Sequence, residues 1–142
     1  MADYKGVNYT KSEIATPPYM LDGKDMDAIL KVHTEIFEAS AVAQNKTIAL
    51  FKDLPDGLNV VGGTVYFDAL GANSKISIGD SDDADRYLTE TTTTSAGTAS
   101  FNAVNGIGYK IGTNDGDNTM LLKAIGSGAL TGTIKVVLFY TD

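Results

Sequence analysis

Cysteine and tryptophan are absent from this 142-residue chain, histidine and arginine occur once each, as His33 and Arg86, and there are three prolines. A chain without cysteine forms no disulfide or thiolate metal site and has no cysteine nucleophile, so its stability must come from packing. Basic residues are scarce as well: eleven Lys and Arg stand against eighteen Asp and Glu, a formal charge of −7. Binding to nucleic acid needs clustered cations that displace counterions from phosphate, so no nucleic-acid partner is expected. Long apolar runs are missing too. No stretch approaches the roughly 20 apolar residues of a membrane helix, and the opening MADYKGVNYTKSEIATPP lacks the apolar run behind a basic segment that marks a secretory leader. No membrane partner is expected, and the length suits one domain that buries about 68% of its unfolded surface.

Glycine and strand formers are plentiful, but unevenly placed. Twelve of the fifteen glycines fall at Gly62 or later, together with the run Thr91 to Thr94. Glycine supplies the positive-φ positions of tight turns and threonine suits a half-exposed pleated surface, so this part reads as strands and turns. In TGTIKVVLFYTD, Ile134, Val136, Leu138 and Tyr140 alternate with Lys135, Val137 and Phe139. A strand apolar on nearly both sides belongs inside its sheet or under a neighbour. GGTVYFDAL sets Val65 and Phe67 against Tyr66 and Asp68, KISIG pairs Ile76 with Ile78, and KTIALF pairs Ile48 with Leu50. TMLLKAI and GIGYKIG supply two further strands. Short strands bounded by Gly, Asn, Asp and Pro predict an all-β fold, an antiparallel β-sandwich of jelly-roll-like kind.

Residues 26–44 carry two patterns at once. Ile29, Leu30, Val32, His33, Ile36 and Phe37 recur at helical intervals, while Leu30, Val32, Thr34 and Ile36 alternate with Lys31, His33 and Glu35. The Val, Thr, Ile and Phe content favours strand over helix. Residues 1–25 differ from both. They hold Pro17-Pro18, little periodicity, and tyrosines at 4, 9 and 19 in polar sequence, which predicts an N-terminal arm ahead of a sandwich domain over 26–142. Tyr4, Tyr9 and Tyr19 are candidate partner contacts, because tyrosine offers a large contact area with only two torsions to order.

Two acidic stretches invite a metal reading. GDSDDADRYL brings Asp80, Asp82, Asp83 and Asp85 beside Arg86, and TNDGDNT spans Thr113 to Thr119. Counted from Asp80, an EF-hand frame would need an oxygen ligand where Ala84 stands, glycine where Asp85 stands and glutamate where Thr91 stands. The Asp-rich turn that caps its own amides is therefore the expectation, with no metal ligands. Arg86 is expected to bridge Asp83 or Asp85 and a backbone carbonyl while Tyr87 and Leu88 turn inward; docking on an acidic patch of a partner is its alternative role. A Ser-His-Asp site would have to use His33, a residue expected on a strand surface or in the core. Gly62-Gly63 precedes a strand and lacks a phosphate-loop pattern. No catalytic residues, cofactor sites or enzymatic activity are expected.

The order LPDGLNVVGGTVYFDALGANSKISIGDSDDADRYL, a Thr/Ala/Gly-rich stretch, GIGYKIG, then TMLLKAIGSGALTGTIKVVLFYTD resembles small virion structural proteins of tailed bacteriophages, of the auxiliary capsid or head-decoration type. The resemblance covers roughly Thr47 to Asp142 and rests on the succession of motifs. It implies a β-sandwich that binds the outside of the major capsid lattice and stabilises the head, located on the virion surface after synthesis in the host cytoplasm. It further implies the major capsid protein as partner and homo-oligomers, with a trimer as the expected form. Leu54-Pro55-Asp56-Gly57 would be a turn and Gly79 to Tyr87 a loop between strands. The competing readings are a tail, neck or head-fibre component, and a carbohydrate- or receptor-binding module with an exposed aromatic cluster, for which Tyr66, Tyr87 and Tyr109 are the candidates.

Overall fold

A computed structural model describes residues 29–52, 54–112 and 118–141. All of the regular structure among them is β, in eight antiparallel strands: β1 (Lys31–Val42), β2 (Thr47–Phe51), β3 (Asn59–Phe67), β4 (Ser74–Gly79), β5 (Leu88–Thr92), β6 (Gly97–Ser100), β7 (Met120–Gly126) and β8 (Leu130–Thr141). They form two four-stranded sheets, one in the order β1-β8-β3-β6 and the other β2-β7-β4-β5. We refer to these as sheet A and sheet B. The expected antiparallel β-sandwich is the observed architecture. Among the described residues no helix is long and apolar enough to cross a membrane.

The alternation read in the sequence positions the core. On β8, Ile134, Val136 and Leu138 are fully buried, and on β3 Val65 and Phe67 are buried while Tyr66 is exposed. Sheet B answers with Ile48, Leu50, Ile76, Ile78, Leu88, Met120 and Leu122. Each aliphatic side chain taken from water contributes about 1.5–3 kcal/mol, so these facing rows carry the fold. As its two-sided apolar pattern implies, β8 lies inside sheet A, between β1 and β3.

Strand wins over helix at β1, because the segment gains a ladder along β8, from Lys31 opposite Tyr140 to Val42 opposite Leu130. Its faces are a surprise. Phe37 and Ala39 turn inward, whereas Val32 and Ile36 are 55% and 56% exposed. His33 is exposed on this strand and its ring lies 4.9 Å from that of Phe51. β1 is also an edge strand, and Ile36 donates its backbone N–H to Oε1 of the preceding Glu35 at 3.2 Å. A carboxylate occupying that donor blunts an edge that would otherwise invite another strand.

GIGYKIG departs from its expectation. Only Lys110 makes a bridge, to Asn59, and no strand forms there. Gly108 and Gly112 have φ of +83° and +96°, conformations that interrupt a pleat. The backbone still runs beside the start of β3, with Val60 donating to Tyr109 O at 2.9 Å and Ile111 donating to Leu58 O at 2.8 Å. Leu54-Pro55-Asp56-Gly57 is the turn expected: Gly57 has φ +88° and Leu58 donates to Pro55 O at 3.3 Å.

Candidate partner interface

The segment from Asp80 to Tyr87 joins β4 to β5, and a single carboxylate organises it. Asp80 is 4% exposed at the end of β4. Its Oδ1 accepts the backbone N–H groups of Asp82 at 3.0 Å and Asp83 at 2.9 Å, while Oδ2 accepts Arg86 Nε at 2.5 Å. The Asp80 N–H in turn donates to Asp83 O at 2.9 Å. Capping of its own amides is what keeps an aspartate turn compact. The side chains of Asp83 and Asp85 remain at the surface, and no group of three His, Asp or Glu side chains converges among the described residues. The second acidic stretch, Thr113 to Thr119, lies mostly outside the described residues.

Arg86 therefore pairs with Asp80, not with Asp83 or Asp85 as its neighbours in sequence suggested. The reason is geometric: the loop doubles back so that residues 80 and 86 flank its neck, and the carboxylate at the neck is the buried one. The guanidinium carbon stands 4.2 Å from the centroid of the Tyr109 ring, a cation–π arrangement. Tyr109 meets Tyr87 edge-on at 6.2 Å, and Tyr87 lies 5.9 Å from Phe101. Partial burial alone would lower the Arg86 pKa, but the hydrogen bond and charge of Asp80 outweigh it and hold the guanidinium above its ordinary value. Asp85 moves up as well, chiefly through its hydrogen bond with Asp83, then through burial and the charge of Asp83.

The loop packs against two backbones. It folds over the outer side of β4, where Ser77 Oγ donates to Ala84 O at 3.0 Å. A Cβ at Gly79 would lie 2.0 Å from Asp83 O, and one at Gly106 would lie 2.2 Å from Arg86 O. Glycine is needed at both positions for close approach, not for its torsions. Beside the loop is an open concavity of about 330 Å³, lined in part by Asp83, Asp85, Arg86, Thr89, Asn102 and Val104. Arg86 forms one wall, although its side chain is only 13% exposed.

Tyr87 and Leu88 are fully buried, as expected of the loop's exit. The three tyrosines considered as a sugar platform do not make one: Tyr87 is buried, Tyr109 is half-buried beneath Arg86, and Tyr66 stands alone on sheet A. Tyr4, Tyr9 and Tyr19 lie outside the described residues. The Arg86–Tyr109 contact was invisible in the sequence except as a tyrosine bracketed by glycines, the mark of a backbone that turns sharply to present it.

No protein-family model matches the chain, and no curated protein matches it. Solved structures do. A chain of the cyanophage Pam1 capsid asymmetric unit shares 20% identity at a TM-score of 0.66, covering 99% of both chains. A chain of the Ralstonia phage GP4 capsid shares 15% identity at 0.59, over 87% of this chain and 91% of that one. In the acidic stable capsid of Helicobacter pylori bacteriophage KHP30, a chain shares 11% identity at 0.57, over 81% and 89%. The fold is thus one found in phage capsid structures, in agreement with the resemblance read from the motifs.

Proposed function

We propose that this protein is a bacteriophage capsid decoration protein, a non-enzymatic sandwich that binds the outer surface of the major capsid lattice as a homo-oligomer and stabilises the head. The observation that carries this reading is the likeness to a chain of the Pam1 capsid along 99% of both chains. The interior supports it: apolar rows fill the sandwich, and the polar cluster around Asp80 is a loop brace whose carboxylate is engaged by two backbone amides and Arg86. A cement protein needs a rigid body and complementary surface, and weak contacts repeated over a lattice add through effective concentration.

The contacts we assign to the capsid are Tyr4, Tyr9 and Tyr19 on residues 1–25, and Arg86 at the concavity, with a trimer as the working stoichiometry. The deciding experiment is a reconstruction of intact particles with a copy count per head. Density distributed over the shell supports decoration; density confined to a tail, neck or single vertex would replace it with another virion role. Deleting residues 1–25 should leave the β signal in circular dichroism intact while weakening co-sedimentation with heads. Loss of that signal would instead make those residues part of the sandwich.

A further inference from the structure

The outward face of sheet A is covered by none of the described residues, and its composition is that of a contact surface. Register places Val32 opposite Phe139, Thr34 opposite Val137, and Ile36 opposite Lys135 on β1 and β8. The same rows continue onto β3, where Val137 faces Thr64 and Lys135 faces Tyr66. Val32, Ile36 and Tyr66 are exposed and Val137 and Phe139 half-exposed. Gly62 lies opposite Phe139, and a Cβ there would meet nothing within 4 Å, so the face has a dent beside the phenyl ring. A second concavity of about 260 Å³ opens between Tyr66 and Lys135. Ridge and hollow therefore sit side by side on one apolar surface.

We infer that this face is where a second copy of the chain docks. Charge argues for a copy over other occupants. The chain carries −7 overall, which makes copies repel wherever acidic surfaces meet. The rows described above carry a single charge, Lys135, and the next row adds two carboxylates, Glu38 on β1 and Asp68 just past β3, whose Oδ2 accepts the Thr133 N–H at 3.1 Å. Glu38 is held upright by Thr133 Oγ1, which donates to its carboxylate at 2.9 Å. A contact between copies sets the lysine of one against the glutamate of the other, in a two-fold pair or a ring. Strand addition at β1 is the less suitable mode, because Glu35 already occupies the Ile36 amide at the free edge.

The area sets the strength. Three strands some eight residues long and a fourth, β6, of four, spaced ~4.8 Å apart at ~3.3 Å per residue, give on the order of 450 Å² per copy, so a pair buries roughly 900 Å², below the ~1,200 Å² at which specific stable interfaces begin. Association should be concentration-dependent in solution and reinforced in a lattice, where other contacts hold the copies together. This deepens the homo-oligomer part of the proposed function, and it can fail alone.

The test is light scattering on the full-length chain over a wide concentration range, with Ile36→Glu, Lys135→Glu and the swap Glu38→Lys/Lys135→Glu. Circular dichroism checks each fold; Ile36→Glu should fold, since the new carboxylate would face Lys135. The wild type should associate as concentration rises, Ile36→Glu should remain monomeric, Lys135→Glu should weaken association about tenfold, and the swap should restore it. A wild type that stays monomeric throughout, or variants that associate like it, would overturn the inference. So would a chain lacking residues 1–28 that newly binds a hydrophobic dye at this face, which would make its own N-terminal segment the occupant. Co-sedimentation with heads is scored separately, so a monomer that still decorates heads removes this interface without touching the capsid reading.

Discussion

The two sheets have the same number of strands and share one core, yet their outward sides are finished differently. On sheet B, the loop after β4 folds back over the strand, so that Ser77 is buried although it points away from the core. Further along the same side, Lys75 and Glu90 pair at 2.9 Å with both side chains about half exposed. On sheet A the corresponding side keeps Val32, Ile36 and Tyr66 exposed. Sheet B is roofed by its own chain, whereas the apolar side of sheet A is the one on which the proposed contact between copies would fall. The lesson is that strand patterning decides which residues can leave water, whereas loop placement decides which of them do.

Four substitutions sharpen that contrast, in falling order of effect. Val136→Asp puts an unpaired charge at a position with no exposure, between the sheets, and should abolish cooperative folding, since an uncompensated buried charge costs several kcal/mol. A soluble variant with a sigmoidal melt would show that β8 is not central. Asp80→Ala takes away the acceptor of two loop amides and the partner of a mostly buried guanidinium. The roof of sheet B should loosen, with a loss of about 3 kcal/mol and a fall in Tm on the order of 10 °C. On the bare side, Ile36→Glu should change monomer stability by less than about 0.5 kcal/mol in urea titration; a large loss would mean that this face is packed within one copy.

The smallest effect concerns pH. Asp85 has its folded pKa raised above 3.8, so its ionisation works against folding: the protonated form's contribution is present below 3.8 and is lost as pH rises through the folded value. Asp85→Asn should therefore melt slightly higher at neutral pH, by about 1 °C or less for so exposed a group. That advantage should vanish below pH 3.8. An advantage that grows on acidification would contradict the sign.

Much of the sandwich was legible because alternation is a local signal. Ile134, Val136 and Leu138 announced one buried side of β8, and Ile76 with Ile78 did the same for β4. At β1 the pattern left helix and strand open, the β-branched and aromatic content favoured the strand, and neither gave its orientation: Val32 and Ile36 are as apolar as any core pair, and they face out because β8 presents its opposite side there. Periodicity marks a face without saying which solvent or partner meets it. GIGYKIG misled for a different reason. Its alternation is real, but two positive-φ glycines turn the backbone before a ladder can extend. At the loop, four aspartates were equivalent in sequence, and only burial at the neck singles out Asp80 as the partner of Arg86.

The pairing of β1 with β8 joins Lys31 to Tyr140, contacts that span most of the polypeptide. A ribosome emitting this chain releases β1 long before the strand that completes its sheet exists, so sheet A waits for Leu130–Thr141 to emerge, and closure of so long a loop should make folding slow and all-or-none. During that interval the Val32 and Ile36 stripe is exposed to every other nascent copy nearby. Assembly and misassembly then draw on the same few side chains, and the time needed to synthesise the final strand sets how long the two compete.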